Sequence, residues 1–288
     1  MTQPKLREKF PVLNRSTYLV SHSMGAAPLD SREKILEYWN SWNDLGIEAW
    51  DRWMPFVDEC RSVLGQIIGA SGRSIAFHQN VSTLIHSVLG TFDWTSSRNE
   101  VLISELTFPT LKYCLEALKG TGIHFIRVPS RDGIGHDPSD FTSLITARTA
   151  LVLLDHGIYR SSALIDIPPI VKVAHQHGAR VLADTYQTAG MYPLSVTDWG
   201  VDFAVGGSHK WLCGGPGASY LYVRPDLLGT LRPQLYGWMA QQEIFEFTPD
   251  VQPADDARAF MTGTFGIPSL YAAKAGWETI LAIGVPYI

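Results

Sequence analysis

Cysteine is scarce: Cys60, Cys114 and Cys213 are the only three in 288 residues. Their number is odd, and they are scattered without metal-ligand spacing. That excludes a disulfide framework and a zinc site, and leaves buried free thiols as the expectation. An excess of one charge is lacking too. A formal net charge of -5 without any Lys/Arg-rich run marks no surface for nucleic acid or anionic lipid, so neither partner is expected. No uninterrupted apolar stretch approaches bilayer length, and residues 1–10 are polar and mixed in charge, without the apolar core of a secretory signal. A cytoplasmic protein with small-molecule partners is the expectation. Internal repeats and low-complexity segments are absent as well. What remains, 45% hydrophobic and 18% charged residues, is ordinary globular composition with ample core-forming material.

From about residue 74 onward, short apolar runs alternate with amphipathic stretches, which is the pattern of an α/β domain. Strands are predicted at 74–78, 100–105, 124–128, 150–156, 179–184, 203–207 and 219–223, each buried on both faces. Helices are predicted between them, at 110–119 and at 167–177, the latter stopped by Gly178. The N-terminal part differs. Residues 32–68 read as helix with Trp39, Trp42, Trp50 and Trp53, aromatics better suited to core or subunit-interface packing than to a cofactor box. A helical pattern at 269–283 runs into an apolar end, Gly284-Val285-Pro286-Tyr287-Ile288, which suggests an interruption before a further small domain.

Chemistry concentrates at strand ends. Gly206-Gly207-Ser208-His209-Lys210-Trp211 puts a lysine just past a buried strand, in a turn-rich loop ending Gly214-Gly215-Pro216-Gly217. In open α/β sheets that edge lines the ligand crevice, and a lysine there among apolar and Gly residues is suited to Schiff-base chemistry. A plain surface lysine is the alternative; a phosphate-loop reading fails on glycine spacing and on Trp211. Asp184 ends another buried strand, where a carboxylate can keep a pyridine nitrogen protonated, although such an Asp is as often a turn former or helix cap. Gln79-Asn80-Val81-Ser82-Thr83 opens the helical pattern 84–89 and offers N–H groups and hydroxyls to a phosphate; Ser82 or Thr83 can equally be a plain N-cap. Phe108, in Glu105-Leu106-Thr107-Phe108-Pro109, either stacks on a ring or fills core.

At these residues the chain resembles the class V aminotransferase superfamily, within the fold type I pyridoxal-phosphate enzymes, and it looks most like kynureninase. The pattern begins at Tyr18-Leu19-Val20-Ser21-His22 and continues through Gly46-Ile47-Glu48-Ala49-Trp50, Phe108-Pro109, Asp184, Ser208-His209-Lys210 and Leu235-Tyr236-Gly237-Trp238. The resemblance implies pyridoxal 5'-phosphate as cofactor. It implies that Lys210 holds it as a Schiff base, that Asp184 pairs with the ring nitrogen, and that Phe108 stacks on the ring. Val81, Ser82, Thr83 and Ser208 belong to its cofactor-binding set. It further implies a homodimer with shared active sites, in which Trp238 and Thr264 reach the partner subunit's phosphate. Gln187 and His209 stand where kynureninases usually carry His and Tyr, and match the cysteine desulfurase branch, in which the Gln contacts the ring hydroxyl. Asn43 and Leu111 replace a His and an Asp familiar in kynureninases. Phe108, conversely, replaces the stacking His of the desulfurases, and Cys213 is not at their catalytic cysteine position.

The implied fold is the large domain of that group, a mostly parallel seven-stranded sheet between helices, with the small C-terminal domain missing. Residues 1–73 would form a helical segment contributing to the site and the dimer interface, 74–268 the cofactor-binding domain, and 269–288 the start of a helix leading to the missing one. The expected activity is cleavage of an amino-acid substrate at its β-carbon by kynureninase-like hydrolysis. A cysteine desulfurase or carbon-sulfur lyase, an aminotransferase, and a truncated non-catalytic cofactor-binding relic are the alternatives.

Overall fold

A computed structural model describes residues 3–288; the first two residues of the polar N-terminal segment lie outside the described part. Seven strands form one sheet: β1 (Ile75–His78), β2 (Glu100–Ser104), β3 (His124–Val128), β4 (Thr149–Asp155), β5 (Arg180–Asp184), β6 (Phe203–Gly207) and β7 (Ser219–Val223), in the order β1-β7-β6-β5-β4-β2-β3. β7 runs antiparallel to both β1 and β6, and the remaining pairs are parallel. Every strand but β7 therefore points the same way and ends at the same edge. Central strands such as β4, Thr-Ala-Leu-Val-Leu-Leu-Asp, are buried throughout because helices cover both faces. β3 corrects the expectation of two-sided burial: it is the sheet's edge, and His124 and Arg127 are exposed.

The helices are α1 (Gln3–Glu8), α2 (Asp30–Leu45), α3 (Trp50–Ile68), α4 (Val81–Leu89), α5 (Pro109–Glu116), α6 (Pro138–Thr142), α7 (Ile167–Gln176), α8 (Val196–Trp199) and α9 (Ile267–Ile283). The single helix expected over 32–68 is two. Gly46, at φ 56°, caps α2 in a conformation that residues with a Cβ resist, and the tight turn Gly46–Ala49 re-aims the chain into α3. Of its tryptophans Trp53 is buried, Trp50 half-buried, and Trp39 and Trp42 exposed.

Aromatic contacts fasten α9 to the rest. Tyr271 stacks on Phe56 of α3 with ring centroids 3.7 Å apart, and the fully buried Trp277 stacks on Phe77 of β1 at 5.7 Å. Trp277 Nε1 also donates to Ser208 Oγ at 3.2 Å, so α9 braces the segment leading to Lys210.

A buried ion pair ties α3 to the loop before α9. Arg61 Nη2 donates to Asp256 Oδ2 at 2.9 Å, and its Nε to the Ile75 carbonyl at 2.8 Å. Burial alone would raise the Asp256 carboxyl, but Arg61 and Arg258 hold it below the usual carboxylate range. Stability from this group is therefore present above the ordinary carboxylate pKa and lost as pH falls through the depressed one. Asp256→Asn would leave Arg61 without its buried charge partner, with only the exposed Asp58 at 3.0 Å to offset it, and a loss toward the lower end of about 3–5 kcal/mol in denaturant unfolding at neutral pH is expected. A change under 1 kcal/mol would contradict this.

Among the described residues no helix is long and apolar enough to cross a membrane, and no group of three or more His, Cys, Asp or Glu could hold a metal ion.

Candidate active site

Five strand ends at the common edge deliver Asn80 (after β1), Phe108 (after β2), Asp155 (last of β4), Asp184 (last of β5) and Lys210 (after β6) to one cavity of about 210 Å³. Val81, Ser82, Tyr159, Tyr186, Gln187 and His209 complete most of its wall. This is the crevice that parallel sheets open beyond their carboxyl ends.

Lys210 is held by its backbone. Gly25 N–H donates to the His209 carbonyl at 2.6 Å, Gly214 N–H to Ser208 O at 2.7 Å, and Cys213 N–H to Lys210 O at 3.1 Å. A Cβ on Gly25 would run into the Lys210 carbonyl oxygen, so only glycine lets the N-terminal segment approach. Lys210 Nζ lies 4.7 Å from the Tyr186 ring centroid and 5.4 Å from that of Phe108. Burial lowers its pKa, while Asp184 and Asp155 oppose the shift. The surface-lysine alternative fails on this geometry.

Asp184 is buried, and its Oδ1 accepts the Tyr186 N–H at 2.8 Å. Burial raises its carboxyl, against that hydrogen bond and Lys210, which lower it. Phe108 is 43% exposed, so it walls the cavity edge-on to Tyr159 rather than filling core. Tyr186 OH and His209 Nδ1 are 2.8 Å apart. Burial raises the phenol and lowers the imidazole, so both groups favour their neutral forms. Gln187 Nε2 donates to His22 O, and its Oε1 accepts from Trp211 Nε1, both at 3.2 Å.

Neither Ser82 nor Thr83 is the cap of α4. Asn80 is, its Oδ1 accepting the Thr83 N–H at 3.0 Å and the Thr83 hydroxyl at 3.1 Å. Val81 and Ser82 line the cavity, whereas Thr83 lines a separate one with His86 and Gln234. Ser208 is buried beneath the site against Trp277. Trp238 packs on Trp50 and Phe247, and neither it nor Thr264 lines the cavity of its own chain. Asn43 is exposed and Leu111 buried.

The class-V aminotransferase family (Aminotran_5) matches residues 18–288. The chain belongs to this family. Among its relatives, an uncharacterized aminotransferase, YcbU of Bacillus subtilis, is 30% identical over 98% of this chain and 74% of that protein. Kynureninase of Geobacillus thermodenitrificans is 29% identical over 98% of this chain and 69% of that protein, and that of Bacillus anthracis 31% identical over 86% and 60%. Among solved structures, a mutant of the cystine C-S lyase C-DES with glycine covalently linked to its PLP cofactor superposes with a TM-score of 0.89, at 24% identity, covering 96% of this chain and 74% of that one. A cysteine desulfurase from Thermococcus onnurineus superposes at 0.86 with 21% identity, over 99% and 72%. At these identities the structural likeness shows the class-V fold alone.

Within the family frame, Asp155, Tyr159 and Tyr186 are among the cavity residues that the sequence reading did not assign to the site. Asp155 carries the signal that exposed Asp184, an aspartate ending an apolar strand, and the two are in register across β4 and β5. Of the expected buried thiols, Cys60 and Cys114 are buried, but Cys213 is only partly so. Burial raises the Cys213 thiol to about 11, against a backbone hydrogen bond from Ala26 that lowers it, which leaves it a poor nucleophile near neutral pH.

Proposed function

We propose that this cavity binds pyridoxal 5'-phosphate and cleaves an amino-acid substrate at its β-carbon, with Lys210 and Asp184 as the catalytic pair. The cofactor is pyridoxal 5'-phosphate. The observation that carries the reading is convergence: a half-buried amine, a buried carboxylate and an aromatic wall face one cavity, with the start of α4 beside them. The cavity fits a flat cofactor. Its lining sets the aromatic Phe108, Tyr159 and Tyr186 beside the charged Asp184 and Lys210 and the start of α4 at Val81 and Ser82. When bound, the cofactor supplies an electron-withdrawing pyridinium ring that spreads negative charge from the substrate's α-carbon.

Lys210 Nζ would be the group that holds the cofactor covalently and, as a neutral amine, the base for the substrate's α-proton. Asp184 would pair with the ring nitrogen and keep it protonated. Phe108 would pack on the ring, and Val81 with Ser82 at the start of α4 would receive the phosphate. Gln187 and His209 would hold the ring's polar edge. Ser208 positions Lys210 from below through Trp277. Thr83, Trp238 and Thr264 do not line their own chain's cavity. Trp238 and Thr264 are assigned to the partner subunit's phosphate in a homodimer, a reading supported by the exposed apolar Ile47, Phe245 and Phe247.

Kynureninase-like hydrolysis is the first reaction to test, because relatives at 29–31% identity are kynureninases. Gln187 and His209 favour carbon-sulfur cleavage as the second reading. A screen of aryl-ketone amino acids, cysteine derivatives and transamination pairs separates them. Alanine with an aryl acid supports the first, alanine or pyruvate with released sulfur the second, and keto acid without cleavage overturns both. Light scattering of the same preparation is expected to give twice the 31.9 kDa chain mass; a monomer that turns over would remove Trp238 and Thr264 from the site.

A further inference from the structure

The cavity holds one carboxyl group more than the proposed chemistry uses. Asp155 is 4% exposed, lines the cavity, and lies in register with Asp184 on the adjacent parallel strand, so the two side chains leave the sheet on the same face. Its Oδ1 receives only a long contact from the Phe108 N–H, at 3.5 Å, and its Oδ2 is buried without a hydrogen-bond partner. The groups facing it are Asp184 from β5, Lys210 from beyond β6 and the Thr107 hydroxyl from beyond β2. The only cation among them is Lys210. With both carboxyls ionised the cavity would carry an uncompensated negative charge, and Asp155, faced besides Lys210 by the Thr107 hydroxyl and the long Phe108 N–H contact, would hold its share poorly solvated. With one proton on the pair, the charges balance.

We propose that Asp155 carries that proton, as a neutral acid that leaves Asp184 the single negative charge presented to the cofactor ring. Asp155 is then a positioning residue acting through Asp184, and this rests on the cofactor placement proposed above. The asymmetry between the two acids has a visible cause. Asp184 receives a short backbone N–H at 2.8 Å and lies near Lys210, both of which favour its ionised form. Burial first, and Asp184 second, push the Asp155 carboxyl upward, toward the protonated form. A carboxylic acid kept neutral by its surroundings is an established catalytic device.

Infrared difference spectroscopy of the holoenzyme tests this, using wild type, Asp155→Asn and, in case the first folds poorly, Asp155→Thr. The expected result is a protonated-carboxyl stretch in wild type near neutral pH. It should fade as pH rises and be absent from both variants. Because asparagine is also neutral, Asp155→Asn should keep pyridoxal-phosphate affinity within about threefold, a shift below 1 kcal/mol. Absence of the band in wild type, its survival in both variants, or a loss of affinity beyond about tenfold in folded Asp155→Asn would overturn the proposal. Borohydride trapping on wild type reads the cofactor placement separately. A protein that shows the band but traps no cofactor would refute that placement and leave the proton on Asp155.

Discussion

Lys210→Ala is expected to abolish borohydride-trappable capture of pyridoxal phosphate, seen as loss of the visible absorption band, while the protein still binds the cofactor reversibly. Turnover should fall by at least about 10²–10⁴-fold, because the substitution removes both the proposed attachment point and the proposed base for the α-proton. The fold should be indifferent to the change, since Lys210 lies beyond β6 and its position is set by backbone hydrogen bonds from Gly25, Cys213 and Gly214 that alanine preserves. The pH dependence has a definite sign. Burial lowers the Lys210 pKa, so the reactive neutral amine is populated at a lower pH than for a solvent-exposed lysine, and capture should rise with pH through a midpoint below that of free lysine. An unchanged trapped band in Lys210→Ala would place the attachment elsewhere and dismantle the site.

Most of the sheet was legible because it is buried. Runs such as Ala150 to Leu154 and Phe203 to Val205 have no polar interruption, and the turns between them are marked by glycine and proline. β3 was misjudged because apolar alternation cannot distinguish a central strand from an edge; that depends on which strand neighbours it, a tertiary fact. The break at Gly46 was missed because one glycine within a helical pattern is usually tolerated, and only its positive φ shows it turning the chain. In the site, Lys210 and Asp184 stood out as strand-end residues of a recognisable type. Asp155 follows the same rule but reads as the last residue of an apolar strand beside His156, and only the in-register pairing of β4 with β5 shows that it meets Asp184. Asn80 took the capping role assigned to its neighbours because its side-chain oxygen reaches back to the Thr83 N–H, a competition that composition cannot settle.

Asp184→Asn is expected to reduce kcat by roughly 10²–10³-fold, the scale for removing one preorganised electrostatic partner from a water-excluded site. The amide still accepts the Tyr186 N–H, so the side chain keeps its place, and what is lost is the charge proposed to face the ring nitrogen. Stability should move the other way. The Asp184 carboxyl is raised above its ordinary pKa, mainly by burial, so its contribution to the cofactor-free fold is fully present below the unfolded-state pKa and is lost as pH rises through the folded one. Asparagine removes that pH-dependent loss. The cofactor-free variant should therefore melt at the same or a higher temperature than wild type above neutral pH, and lose this advantage in acid. A merely structural role would give the reverse, a less stable protein whose kcat falls only in proportion to its unfolded fraction. Measured together, melting against pH and kcat of the holoenzyme decide between a carboxylate held against its own solvation for chemistry and one held for the fold.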